Sequence, residues 1–188
     1  MYKLCKTEQS ALRQKQIEDA LLELMGSVRY EDISVSDLCR KLGIPRKAFY
    51  RYFSGKDGAL FALLDHRLLE YGSGGREEFG VSGAHLSMDF EWFFQFWRRQ
   101  KTLLDALERS GISGILVERA IRNTQEAVIS GLPDRSAQAL SAATAFGVCG
   151  MMSMVLQWHR DGYSQSVQEM AELTRNLLRK PLVPDETA

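Results

Sequence analysis

Apolar residues recur at spacings of three and four along nearly the whole chain, and nowhere do they alternate. That period gathers them on one side of a helix, whereas a half-buried strand needs a period of two. A chain so patterned can bury its apolar stripes only helix against helix, so the expected fold class is all-α, with about nine helices. From Glu8 to Met25 the stripe is Leu12, Ile17, Ala20, Leu21 and Leu24, and Gly26 stops it. Ser34 with Asp37 three residues on fits an N-cap for a short helix, Val35 to Leu42, ending at Gly43. Pro45 opens a second short helix to about Tyr50, since a first-turn proline loses no intrahelical bond. Two short helices joined by a glycine-containing turn make a helix-turn-helix. A further helix is expected from Lys56 and Asp57 to Leu69 or Tyr71.

Composition then shifts. Five glycines fall between residues 72 and 83, which predicts a glycine-rich connection over 72–85. It divides an N-terminal domain, 1–71, from a C-terminal helical domain, 86–188. Helices are expected in the latter at 86–99, 101–110, 113–130, 135–160 and 164–179, followed by a loose tail, KPLVPDETA. Gly111, Gly131-Leu132-Pro133 and Asp161-Gly162 punctuate them.

Charge is distributed unevenly. The formal net charge is zero, yet residues 1–60 carry 11 Lys/Arg against 8 Asp/Glu, and the remainder 13 against 16. Arg40, Lys41, Arg46, Lys47, Arg51 and Lys56 crowd the helix-turn-helix, with Phe49, Tyr50, Tyr52 and Phe53 among them. A cationic run of this kind is usually a solvated face. Here it coincides with the motif that places a second helix in the DNA major groove, first turn toward base edges. Arg46 and Lys47 stand on that first turn, within reach of guanine edges or phosphates. Tyr50 and Tyr52 offer hydroxyls at the rim. Lys56 flanks a helix N-terminus, whose free N–H groups favour a phosphate. Leu38, Leu42, Ile44, Phe49 and Phe53 are expected to face inward.

Residues 8–64 resemble the DNA-binding domain of the TetR family of bacterial transcriptional regulators. The resemblance rests on Ile17 and Ala20, on Tyr30-Glu31-Asp32-Ile33-Ser34-Val35, on Asp37-Leu38-Cys39 and Gly43-Ile44-Pro45. It continues through Phe49-Tyr50-Arg51-Tyr52-Phe53, Lys56-Asp57 and Leu60. It implies a homodimer on a palindromic DNA operator and a C-terminal domain that senses a ligand. It also implies phosphate contacts from Ser34, Tyr50 and Lys56, with Tyr52 beside them, and base or backbone contacts from Arg46, Lys47 and Ala48. Lys47 stands where many relatives have glycine, Ala48 where a hydroxyl or amide is common, and Pro45 where serine is frequent. These departures bear on which operator is read. Further on, Phe146-Gly147-Val148-Cys149-Gly150-Met151-Met152 through Trp158-His159-Arg160-Asp161-Gly162 resembles the dihydroxyacetone-kinase regulators of Firmicutes within that family.

On 135–160 a stripe of Leu140, Ala143, Gly147, Met151, Met154 and Trp158 has small residues at mid-helix, and the last helix offers Met170 and Leu177. Doubled by a twofold axis, the two helices would form a four-helix interface through Leu140, Gly147, Trp158, Met170 and Leu177. The alternative is that both stripes are the core of one protomer. DFEWFFQFWRR, residues 89–99, is apolar on most sides and reads as a buried helix, or as the wall of a pocket for a small apolar or aromatic ligand. Candidate liners are Phe93, Trp97, Leu116, Met151 and Met154.

Catalytic chemistry is not assembled by the sequence. His66, His85 and His159 each stand without a neighbouring ligand at metal spacing, and Gly72-Ser73-Gly74-Gly75 lacks the Lys-Ser/Thr of a phosphate loop. No cofactor or enzyme activity is expected. The three cysteines, Cys5, Cys39 and Cys149, include no CxxC pair, which points to a reducing cytoplasm. MYKLCKTEQS lacks the apolar core of a secretory signal, and the apolar window at 140–156 holds polar residues and glycines, so no membrane span is expected. The function read here is a ligand-responsive repressor. The alternative is a coactivator or adaptor of the same fold that works through a protein partner.

Overall fold

The computed structural model describes residue 2 and residues 7–78, 89–129 and 134–179. Nine α-helices lie among the described residues: α1 (Glu8–Met25), α2 (Val35–Leu42), α3 (Arg46–Phe49), α4 (Lys56–Glu78), α5 (Phe90–Arg99), α6 (Lys101–Arg109), α7 (Ser113–Ile129), α8 (Asp134–Arg160) and α9 (Val167–Arg179). A single 3-10 turn, Tyr30–Asp32, precedes α2, and no strand occurs among the described residues beyond an isolated bridge between Tyr2 and Phe53. The tail from 180 on, the Gly131-Leu132-Pro133 turn, Cys5 and His85 lie outside the described residues.

Local chemistry sets the boundaries. Thr7 and Ser10 cap α1 reciprocally, and Ser34 and Asp37 do the same for α2. Gly43 closes α2 at φ 62°, and Ile44 N–H then reaches back to Cys39 O at 3.0 Å. A side chain there would be strained in this left-handed conformation, so glycine is what permits the tight turn into α3.

One boundary differs from expectation. α4 continues through Gly72, Gly74 and Gly75 to Glu78, where a connection was expected from residue 72. Tertiary packing outweighs the poor helix propensity of glycine. Tyr71 packs its ring 5.6 Å from Phe93 and 5.5 Å from Phe96, and Ser73 Oγ donates to Leu69 O at 3.0 Å. The rest of the glycine-rich segment, 79–85, lies outside the described residues.

The core is continuous from the N-terminal helices to the C-terminal ones. Ile17, Leu21, Leu38, Phe49 and Phe53 are buried at one end, and Phe94, Trp97, Leu104 and Trp158 at the other. Leu42 and Ile44 are half-buried against it. α4 is fastened to α7 by a buried ion pair: Asp65, 3% exposed, accepts from Arg119 Nε at 2.7 Å, Asn123 Nδ2 at 2.9 Å and Tyr2 Oη at 2.7 Å. With both oxygens satisfied, the carboxylate's desolvation is offset.

The apolar stripe on α8 divides differently from the sequence reading. Trp158 (2% exposed) and Met170 (5%) pack inside the protomer, and the Trp158 indole donates to Gln165 O at 2.9 Å. Met151 is buried too. These large residues face the core, so they are not on an open face. The outward side of α8 runs through Phe146, Gly150, Ser153 and Gln157, with Ala142, Ala143 and Gly147 beside them. Phe146 is 72% exposed and Leu140 37%. On α9, Leu173, Leu177 and Leu178 are likewise exposed.

Candidate nucleic-acid interface

The helix-turn-helix presents its cations unequally. Arg40 pairs with Asp37 at 3.0 Å, and Lys41 with Glu23 of α1 at 2.7 Å. Lys56, expected at a phosphate, instead donates to Tyr30 O at 2.6 Å and Glu31 O at 3.1 Å, its ammonium 4.4 Å from the Tyr30 ring centre. One of its three N–H groups remains for another acceptor. Ser34, another expected phosphate contact, is exposed, but its hydroxyl donates to Asp37 Oδ2 at 2.5 Å and accepts Asp37 N–H at 3.2 Å. The Ser34 hydroxyl and the Ser34 N–H, which also donates to Asp37 Oδ2 at 2.9 Å, hold the Asp37 carboxyl below its ordinary range.

Arg46, Lys47 and Arg51 are exposed, and none of them has an ion pair among the described residues. Arg46 Nη2 lies 3.4 Å from Tyr50 Oη, which sets the first residue of α3 beside the residue that caps its end. Tyr50 is 44% exposed, and Ala48 and Tyr52 are half-buried. The fold thus brings Arg46, Lys47 and Ala48 together on one short helix, with Tyr50 capping its end and Tyr52 just beyond. Phe49 and Phe53, in ring contact at 5.4 Å, anchor that helix from behind.

Tyr30 is the joint that positions this surface. Its hydroxyl donates to Asp57 Oδ1 at 2.5 Å, its carbonyl accepts from Lys56, and its N–H donates to Ser110 Oγ at 3.0 Å. Burial and then the Asp57 bond push its phenol well above the ordinary value. Next to Ser110, Arg109 donates to Met25 O at 2.9 Å and to Gly26 O, fastening the end of α1. Glu108 completes the same turn of α6. It accepts from Arg160 Nε of α8 at 2.7 Å and from Ser113 Oγ at 2.6 Å, and these bonds lower its carboxyl. None of these links was legible in the sequence, because all but the Ser113–Glu108 bond join residues far apart in the chain, and each runs through single polar atoms without periodicity.

The candidate pocket residues converge in part. Phe93, Trp97 and Met151 line an apolar cavity of about 60 Å3 with Leu68, Tyr71 and Ala120. Leu116 is fully buried and does not line it. Met154 lies apart as well, its Sδ 3.8 Å from Thr174 Oγ1. His66 and His159, read as isolated, each meet a carboxylate in the fold: Glu18 at 2.8 Å and Asp105 at 3.3 Å.

A cationic helix-turn-helix carried on a body that is helical among the described residues is the arrangement of DNA-binding transcriptional regulators. Residues 17–63 match the profile of the bacterial regulatory proteins of the tetR family, so the chain carries a TetR-family DNA-binding domain. The solved structure of the fatty acid degradation regulator FadR from Bacillus halodurans is similar in fold: TM-score 0.57, 16% identity, 95% of this chain and 98% of that one. So is the dihydroxyacetone kinase operon activator DhaS: TM-score 0.54, 16% identity, 90% of this chain and 95% of that one. At such identity the likeness is one of fold. A search of the curated proteins by sequence finds no match.

Proposed function

We propose that the chain is a ligand-responsive repressor that binds a palindromic operator as a homodimer in the cytoplasm. Its DNA reader occupies residues 1–71 and its regulatory part 86–188. The observation that carries this reading is the open cationic edge of α3, where Arg46 and Lys47 stand exposed with no ion pair among the described residues. They reach base edges or phosphates, with Ala48 between them and the next turn. Tyr50 and Tyr52 flank the backbone contacts, and Ser34 and Lys56 close the clasp with whatever bonding capacity their internal partners leave.

Dimerisation is supported by the outward faces of α8 and α9. Leu140–Arg160 is apolar enough to cross a membrane, with a mean hydropathy of 1.4, yet only 22% of it is buried. Phe146, Gly147 and Leu177 lie exposed, and a second copy crossing at the small residues would cover them. The ligand would enter between α4, α5, α7 and α8, where Phe93, Trp97 and Met151 already enclose a void. Expansion there would move α4 against α7 and reach the reader through Tyr30 and Ser110.

The size of that void favours a second reading. About 60 Å3 is far below the several hundred that small-molecule sites enclose. A regulator of this fold without a ligand of its own, working as a coactivator through a protein partner, is the alternative. A mobility shift on DNA upstream of its own gene tests the first reading: the native chain binds specifically and an Arg46→Ala, Lys47→Ala chain does not. Equal binding by both would overturn the placement of the reader.

A further inference from the structure

Tyr2 precedes α1, yet it reaches two distant places. Its backbone forms the isolated antiparallel bridge with Phe53, the residue that ends the aromatic segment after α3. Its hydroxyl donates to Asp65 Oδ2 at 2.7 Å, well inside α4, and its ring meets that of His66 edge-on at 6.2 Å. Burial and then the Asp65 bond push the phenol above its ordinary value, so the hydroxyl keeps its proton and remains a donor.

The two contacts face different parts of the molecule. Phe53 is 1% exposed and backs α3 through Phe49, and Arg51 and Tyr52 immediately precede it. Asp65 faces α7, where Arg119 and Asn123 donate to it and Arg119 also lies 5.2 Å from the Phe61 ring centre. The carboxylate is paired without Tyr2, because Arg119 Nη2 bonds Oδ2 as well, while Arg119 Nε and Asn123 hold Oδ1. What the Tyr2 hydrogen bond adds is therefore a tether on the backbone at Phe53.

We propose that Tyr2 is a positioning residue for DNA binding, holding the segment behind α3 at a fixed place relative to the Asp65–Arg119–Asn123 joint. This rests on the reading of α3 as the DNA reader. Side chains that must meet base edges or phosphates need the element carrying them held still, and Arg51 and Tyr52 sit directly before the tether. Tyr2 acts through Phe53 and not on the DNA. A shift of α7 that moved Arg119 and Asn123 would pull on the same carboxylate, so the tether also links the reader to the C-terminal helices.

Binding to DNA upstream of its own gene, measured at a temperature where every variant is folded, tests this. Tyr2→Phe keeps the ring and removes one hydrogen bond, and it should weaken specific binding by about three- to tenfold. Asn123→Ala, on α7 and outside the reader, should weaken binding as well. The double variant should lose less than the product of the two, because both act through Asp65. In the free protein, the backbone amide signals of Tyr52 and Phe53 should move in Tyr2→Phe. A lower melting temperature with unchanged DNA affinity would overturn the proposal and leave Tyr2 a stabilising contact only. Losses that multiply would overturn it too, since Tyr2 would then act independently of the joint. Absence of specific binding by the native chain would instead strike the reading of α3 on which this rests.

Discussion

Ser110 Oγ accepts the backbone N–H of Tyr30 at 3.0 Å across 80 residues of sequence, and donates in turn to Ala106 O at 2.9 Å. The hydroxyl thereby joins the last turn of α6 to the turn that leads into the helix-turn-helix. Replacing it removes the acceptor of a buried N–H. Ser110→Ala should cost about 1–3 kcal/mol of stability, the usual price of such an orphan. A denaturant titration checks this, and an unchanged midpoint would show that Tyr30 N–H finds another partner.

Lys56 and Lys47 should separate stability from DNA binding. Lys56 bonds two carbonyls and covers the Tyr30 ring, so Lys56→Ala should lower the melting temperature of the reader as well as DNA affinity. Lys47 is exposed, with no ion pair among the described residues, so Lys47→Ala should weaken DNA binding at an unchanged melting temperature. Thermal melts of the two variants, beside their DNA affinities, give the comparison.

The two described histidines should give opposite pH dependences. The His66 hydrogen bond to Glu18 raises its pKa above the ordinary 6.5, with Asp65 and Glu70 adding to the effect and burial opposing it. The folded state holds that proton more tightly, so its contribution is complete below 6.5 and is lost as pH rises through the raised value. Burial lowers His159, although Asp105 opposes this. The unfolded state then binds the proton better, and stability falls as pH drops below 6.5 toward the lowered value. Urea midpoints across pH for His66→Gln and His159→Gln should each lose one limb of the profile.

Phe146 tests the association of two copies. It is 72% exposed, so Phe146→Lys should leave the protomer folded and abolish the dimer in sedimentation. A dimer that survived both this change and Leu177→Lys would place the interface elsewhere.

Much of the fold was legible because helices announce themselves through period and caps. Ser34, Asp37, Gly43 and Pro45 each carry a local signal, and the structure places each at or within a residue of the expected boundary. Gly72 to Glu78 misled because propensity is local, whereas the packing of Tyr71 on Phe93 is not. The division of the α8 stripe between core and surface was not legible for a related reason. Met151 and Trp158 dominate any hydrophobic count, and they turn inward, while the open face is marked by glycine, alanine and serine. At the candidate site, residue types were readable and their pairing was not. Six cations stand in the sequence, but only the fold shows that Arg40, Lys41 and Lys56 are already engaged.

That difference makes the salt dependence of operator binding the most direct test. With Arg46, Lys47 and Arg51 open on each of two copies, log K against log salt concentration should fall with a slope of about −5. A slope near zero, or no specific binding at low salt, would contradict the account and turn attention to a protein partner.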